Sequence, residues 1–204
     1  MPRYRLIYFD FPGRAEATRL IFAASGREFE DVRVTAEEWD EMKPKTPMGQ
    51  LPVLEMDGKQ LCQTNAINRY LAKLFVLAGK DRVEAARCDL LAEGASSLLE
   101  ATLFEGHLEK DEAKRRAIWQ GIRATKVDPF LTSHEKLLGQ NESQQYFVSE
   151  TLSWADILIF TVLQVFQQKF PNENIFADYP RMQAFNKSIE GNERIKDYIG
   201  QHWN

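Results

Sequence analysis

The residues that could do chemistry in this chain fall in its first third. Tyr8 stands near the end of an alternating stretch, Arg3 to Phe9, in which Tyr4, Leu6 and Tyr8 share one face and Ile7 and Phe9 the other. A helical pattern follows the intervening Pro12-Gly13-Arg14. Tyr8 thus points from a strand end toward a helix start, where ligands sit in open α/β sheets. Its hydroxyl could donate to a thiolate and so lower that thiol's pKa. A thiol titrating near ~8.5 is mostly protonated at neutral pH, and only the thiolate is nucleophilic. Two units of depression require ~2.7 kcal/mol, which Tyr8 with Arg14 could supply. The alternative role for Tyr8 is a core tyrosine with its hydroxyl at the rim.

Three further sets could hold an anionic, peptide-like ligand. Gln63 and Thr64 open a helical run, and Thr64 reads as its N-cap, next to N–H groups that favour a carboxylate. Pro52 begins a strand, gives it no N–H, and could follow a cis bond that leaves the Leu51 backbone facing a ligand. Trp39 and Lys43, four apart, would share a helical face and offer an indole N–H and an ammonium to a second carboxylate. Each set also has a plain structural role: Thr64 as a cap alone, Pro52 as a trans residue, and Lys43 as a solvated side chain over a half-buried Trp39.

The elements that must position these residues can be read from periodicity. Strand Arg3–Phe9, helix Arg14–Ser25 stopped by Gly26, and strand Glu28–Val34 come first. A helical turn spans Trp39–Lys43. Val53–Met56 and Lys59–Cys62 then form a hairpin around Asp57-Gly58, and a helix runs from Thr64 to about Leu74. This order, β-α-β then β-β-α, reads as a thioredoxin-like domain. Residues 76–83 read as a linker, after which only helical patterns remain: 83–108, 111–138, 153–168, 180–190 and 193–199. The expected fold class is therefore α/β plus all-α, with a thioredoxin-like domain at 1–79 and an all-helical domain at 80–204.

Bulk properties exclude several classes. The 204 residues are 44% hydrophobic and 27% charged, with a net charge of -4. No basic face suggests a nucleic-acid partner, and apolar runs fall well short of the ~20 residues that span a bilayer. The N-terminus lacks signal-peptide character. Cys62 and Cys88 form no Cys-x-x-Cys, which suits a reducing, cytoplasmic setting. His107, His134 and His202 show no metal-ligand spacing, so no metal is expected.

Four stretches taken together, YFDFPGRAEATRLIFA, EEWDEMKPKTPMGQLPVLEMDGK, QTNAINRYLAK and SWADI at 153–157, resemble the cytosolic glutathione transferases, and most of all their sigma class. The resemblance runs from about residue 3 to residue 200. It implies that Tyr8 bonds the glutathione sulfur with Arg14 in support. Trp39 and Lys43 would hold the glycine carboxylate with Gln50 beside them, Leu51 before a cis Pro52 would pair with the cysteinyl unit, and Gln63 and Thr64 would bind the γ-glutamyl end. Ser153 and Asp156 match the family's buried capping box. The resemblance further implies a homodimer, glutathione as cosubstrate without a metal, and an apolar electrophile held between Phe9, Pro12 and Gly13 on one side and Leu99, Leu103 and Phe104 on the other. Trp203 would cap that pocket or pack on the second domain.

The chain departs from the sigma pattern in places. Ser96 and Ser97 stand where aspartates are expected, Phe104 replaces a tryptophan, and Pro12 replaces a basic residue. These changes favour general conjugation. A glutathione-dependent prostaglandin D-type isomerase and a non-catalytic carrier of haem or other hydrophobic ligands are the alternatives.

Overall fold

The computed structural model describes residues 3–104, 109–143 and 145–203, with the side chain of Phe104 excepted. His107 and the end of the expected 83–108 helix lie outside the described residues. The chain divides into two units, residues 1–77 with 192–204, and residues 78–191.

The first unit is built on a four-stranded sheet in the order β2-β1-β3-β4. Its strands are β1 (Tyr4–Phe9), β2 (Glu30–Val34), β3 (Val53–Met56) and β4 (Lys59–Cys62). β1 runs parallel to β2 and antiparallel to β3, and β3 is antiparallel to β4. The hairpin turn falls on Asp57 and Gly58, both at positive φ (48° and 79°), the backbone that Asp-Gly pairs accept in two-residue hairpins. Helix α1 (Glu16–Ser25) follows a single 3-10 turn at Gly13–Ala15 and stops at Gly26, whose φ of 64° frees its N–H to bond the Ala23 carbonyl. Helix α2 (Ala36–Met42) starts on a capping box that pairs Thr35 with Glu38. Helix α3 (Thr64–Leu74) packs with α1, and Thr18 donates to Asn68 at 2.6 Å across the two helices.

This topology decides where chemistry can occur. The C-terminal ends of β1, β2 and β4 and the N-terminal end of β3 all lie at one edge of the sheet. Tyr8, the Thr35 start of α2, Leu51-Pro52 and Gln63 therefore meet there, although up to 55 residues separate them. A groove of about 900 Å³ lined by Arg3, Tyr4, Arg27, Phe29 and Phe75 opens at the other end, by the N-terminus of β1.

The second unit is helical among its described residues. It holds α4 (Arg82–Phe104), α5 (Glu112–Ile122), α6 (Asp128–Gln140), α7 (Trp154–Gln167) and α8 (Pro180–Glu190). The single helix expected over 111–138 is instead two, joined by a π turn at Arg123–Val127 in which Asp128 N–H reaches the Arg123 carbonyl. Pro129 has no N–H to continue the ordinary ladder, so the turn widens there. α7 is buried on nearly all sides and packs on α4, consistent with an apolar run that shows no polar face. Its first turn is held by Asp156, which accepts from Ser153 N–H (2.8 Å), Ser153 Oγ (2.5 Å) and Phe147 N–H (2.9 Å).

The last helix, α9 (Glu193–His202), was expected with the helical domain, yet residues 192–204 group with the first unit. Ile195 is fully buried, Arg194 donates to the Ala24 carbonyl at 3.2 Å, and Trp203 donates to Glu16 at 2.5 Å. Helical periodicity shows that α9 has an apolar side but cannot say which neighbour covers it. The first unit also ends at residue 77, two residues before the expected boundary.

Candidate active site

Tyr8 is 3% exposed, and its hydroxyl accepts the backbone N–H of Arg14 at 3.1 Å. Arg14 thus meets the phenol through its main chain. A phenol oxygen that accepts one N–H keeps the chemical capacity to donate its own proton. The approach is close because residue 13 is glycine. A Cβ there would lie 2.6 Å from the Tyr8 oxygen and 2.5 Å from the Phe11 ring, and φ is +46°. Gly13, expected as a pocket-lining residue, is buried and clears the space for the phenol.

Phe9 meets the Tyr8 ring edge-on at 5.8 Å and stacks against Phe11 at 6.0 Å. Phe11 itself lies 5.3 Å from the Tyr8 ring and is 46% exposed, so it forms an apolar surface beside the hydroxyl. Sequence reasoning passed over Phe11; the Phe-x-Phe spacing at the strand end was its signal. Pro12 is half-buried with its carbonyl turned to Arg19. In the second unit Leu99 is buried and Leu103 half-buried on α4, while the side chain of Phe104 lies outside the described residues.

Trp39 lies within α2 and Lys43 is its C-cap, the helix beginning three residues before the expected turn. Trp39 is half-buried against the cluster of Ile7, Val34, Val53 and Cys62, and its ring lies 6.5 Å from that of Phe9. Lys43 caps α2 through its backbone N–H, which bonds the Trp39 carbonyl, while its side chain is exposed and passes Gly49. The Leu51-Pro52 bond is cis. Gln63 donates to Gln50 Oε1 at 3.0 Å, so these two candidates meet directly.

Thr64 differs from expectation. The N-cap of α3 is Gln63, whose carbonyl accepts the Ile67 N–H at 2.9 Å, and Thr64 is the first helical residue. No side chain caps this helix start. Threonine is the better cap by propensity, but the β4–α3 junction sets Gln63 at φ 74°, a sparsely populated backbone for a non-glycine residue. Such strain concentrates at functional sites and costs roughly 1–3 kcal/mol. The first turn of α3, residues 64–66, is half-buried and carries the positive end of the helix dipole.

Among the described residues no group of three or more His, Cys, Asp or Glu side chains could hold a metal ion. Ser97 bonds back to the Glu93 carbonyl within α4. Cys62 and Cys88 are both buried free thiols, and burial pushes Cys88 up to about 11, which makes it a poor nucleophile. No helix among the described residues is long and apolar enough to cross a membrane.

Comparison with known proteins bears on the whole chain. Residues 4–73 match the family model for the glutathione S-transferase N-terminal domain, and residues 99–202 match that for the C-terminal domain. Glutathione S-transferase 1 of Ascaris suum is 33% identical over 203 residues, covering 98% of this chain and 97% of that protein. Hematopoietic prostaglandin D synthase of Gallus gallus is 32% identical, covering 98% and 96%. Among solved structures, monomeric Na-GST-3, a glutathione S-transferase of the hookworm Necator americanus, superimposes with a TM-score of 0.86 at 33% identity, covering 98% and 97%. With both domain models matched in order and relatives aligned over nearly their full length, this chain belongs to the glutathione S-transferase family.

Proposed function

We propose that this protein binds glutathione at the sheet edge of its first unit, ionises the thiol through Tyr8, and transfers it to an apolar electrophile. The observation that carries this reading is the Tyr8 hydroxyl itself: buried, at a strand end, and accepting the Arg14 N–H at 3.1 Å. A phenol can donate its proton to a sulfur anion, and a hydrogen bond to the charged form lowers the thiol pKa. The thiolate then attacks the electrophilic carbon, the carbon–sulfur bond forms, and the leaving group departs or the adduct takes up a proton. Holding the two reactants together supplies much of the rate. Neither a covalent enzyme intermediate nor a metal is needed.

The remaining residues divide the tripeptide among them. Trp39 and Lys43 take the glycine carboxylate, with Gln50 alongside. The Leu51 backbone before cis Pro52 pairs with the cysteinyl unit. Gln63, Thr64 and the first turn of α3 take the γ-glutamyl end. Phe9, Phe11 and Pro12 flank the sulfur with apolar surface, which suits a hydrophobic acceptor.

The same proposal includes a cytoplasmic homodimer. Two buried, unlinked cysteines suit a reducing compartment. Tyr70, Leu74 and Val76 leave exposed apolar side chains on and just after α3, which suits a self-association surface. Sedimentation of the purified chain tests this, and a monomer at micromolar concentration rejects it.

Conjugation of glutathione to an aryl halide, compared between wild type and Tyr8→Phe, tests the catalytic reading. Returning the thiol from a pKa near 6.5 to ~8.5 lowers the thiolate fraction at pH 7 roughly twentyfold, and kcat should fall at least that far while glutathione affinity holds. A wild type that binds glutathione yet conjugates no electrophile supports the isomerase or carrier role instead. Failure to bind glutathione rejects the site.

A further inference from the structure

We infer that Glu16, Arg19 and Trp203 act as positioning residues that hold the loop placing the Tyr8 hydroxyl, so that the end of the chain helps to set thiol ionisation. This rests on the proposed role of Tyr8. Arg19 is completely buried and Glu16 is 2% exposed. Arg19 spends its guanidinium on the turn between Tyr8 and Gly13. It donates to the carbonyls of Phe11 (3.1 Å), Pro12 (3.4 Å) and Phe9 (3.5 Å). It is held in turn by Asp31 (3.1 Å) and Glu16 (2.9 Å). The guanidinium carbon also lies 5.9 Å from the centre of the Tyr8 ring.

A buried ion pair is seldom more stable than apolar packing of the same volume. What apolar packing cannot do is gather three carbonyls of one turn. The turn is otherwise tied by the bond from Phe11 N–H to the Phe9 carbonyl at 2.9 Å, by Arg33 on the Asp10 carboxylate at 2.6 Å and by stacking of Phe9 on Phe11, but only Arg19 reaches three of its carbonyls. Beyond the turn lie Gly13 at positive φ and Arg14, whose N–H meets the phenol oxygen. Movement of the turn would therefore move the donor away from Tyr8.

Trp203 closes the set from the far end of the sequence. Its indole N–H donates to Glu16 Oε1 at 2.5 Å, while Glu16 Oε2 holds Arg19. Tyr198 of α9 is half-buried beside the same carboxylate, and burial together with Glu16 raises its pKa, which keeps the phenol neutral. The groups facing Glu16 and Arg19 are thus Asp31, Tyr198 and Trp203, with Arg33 and Asp10 extending the ion pairs outward.

The test uses the full chain with glutathione alone, reading the thiol pKa in the binary complex from thiolate absorbance, and then kcat and glutathione affinity. Arg19→Met should raise the bound thiol's pKa by about one unit and lower kcat about tenfold at neutral pH, with affinity changed less than about twofold. Trp203→Phe keeps the ring but removes the N–H, and should move both readouts the same way by about threefold. In a Tyr8→Phe background Trp203→Phe should have no further effect, because it acts through Tyr8. If Arg19→Met fails to fold, Trp203→Phe and Glu16→Gln decide the matter. An unchanged thiol pKa in folded variants overturns the inference, as does a loss that is equally large without the Tyr8 hydroxyl. If Tyr8→Phe itself leaves the thiol pKa unchanged, the role of Tyr8 is wrong and the inference falls with it. A shift with Tyr8→Phe but none with the other variants rejects the positioning chain alone.

Discussion

The hydroxyl of Tyr8 lies 2.6 Å from the point where a Cβ on residue 13 would stand. Gly13 therefore fixes how near the phenol approaches the Arg14 N–H. Gly13→Ala adds both this clash and the strain of φ +46°, which together should cost about 1–3 kcal/mol or displace the phenol. We expect kcat to fall by more than tenfold even where thermal unfolding shows a folded protein. Retention of full activity would mean that the phenol's position is not set by this contact.

Thr64 is the first residue of α3 rather than its cap. Loss of a capping side chain costs about 1 kcal/mol. Thr64→Ala should therefore leave stability within roughly 0.5 kcal/mol. Glutathione affinity should nonetheless drop about tenfold, the loss of one hydrogen bond to a charged group. Thr64→Ser should restore it. Calorimetric titration and urea unfolding on the same samples separate the two effects.

Asp156 is fully buried and accepts from Ser153 N–H, Ser153 Oγ and Phe147 N–H. Ser153→Ala removes the Oγ bond to Asp156 and the Asp156 N–H bond to Oγ, and should cost about 1 kcal/mol. Asp156→Ala leaves two buried N–H groups unpaired at ~1–3 kcal/mol each, so it should be the more destabilising by a clear margin. Urea midpoints that rank the two variants the other way would contradict the geometry. Activity per folded molecule should stay unchanged in both.

His134 is buried, stacks on Phe130 at 3.6 Å, and donates from Nδ1 to the Phe130 carbonyl at 2.8 Å, leaving Nε2 buried without a partner. Burial pushes its pKa down to about 4, against an ordinary value of 6.5. Between these values the unfolded chain binds a proton that the folded chain does not, so the contribution of His134 to stability is lost as pH falls from about 6.5 to about 4. Asp156, raised to about 6 by burial, runs the opposite way and partly flattens the wild-type profile. The difference between wild type and His134→Gln isolates the histidine. It should shrink by about 1.4 kcal/mol per pH unit across that window. A difference independent of pH would show that His134 titrates normally.

Much of this protein was legible without coordinates because local signals were strong. The Asp57-Gly58 hairpin, the Gly26 stop, the Ser153–Asp156 box and the β-α-β, β-β-α order of the first unit all rest on neighbours within a few residues, and the structure places them as read. Tyr8, Trp39, Leu51 and Gln63 could be marked as candidates for the same reason: each sits at the end of an element whose type its own neighbours dictate.

Tertiary structure decided the rest. The sheet register, not any local pattern, brings the strand ends to one edge and sets Gln63 at positive φ, which displaces Thr64 from the cap that its propensity favours. Periodicity gives α9 an apolar side, but only packing against α1 assigns that side to the first unit and brings Trp203 to Glu16, 187 residues away. Arg19 lies in the helical stretch Arg14–Ser25, whose local pattern does not say that it is buried. Its burial follows from a turn that needs a donor for three carbonyls, and such a need arises only once the chain has folded around it.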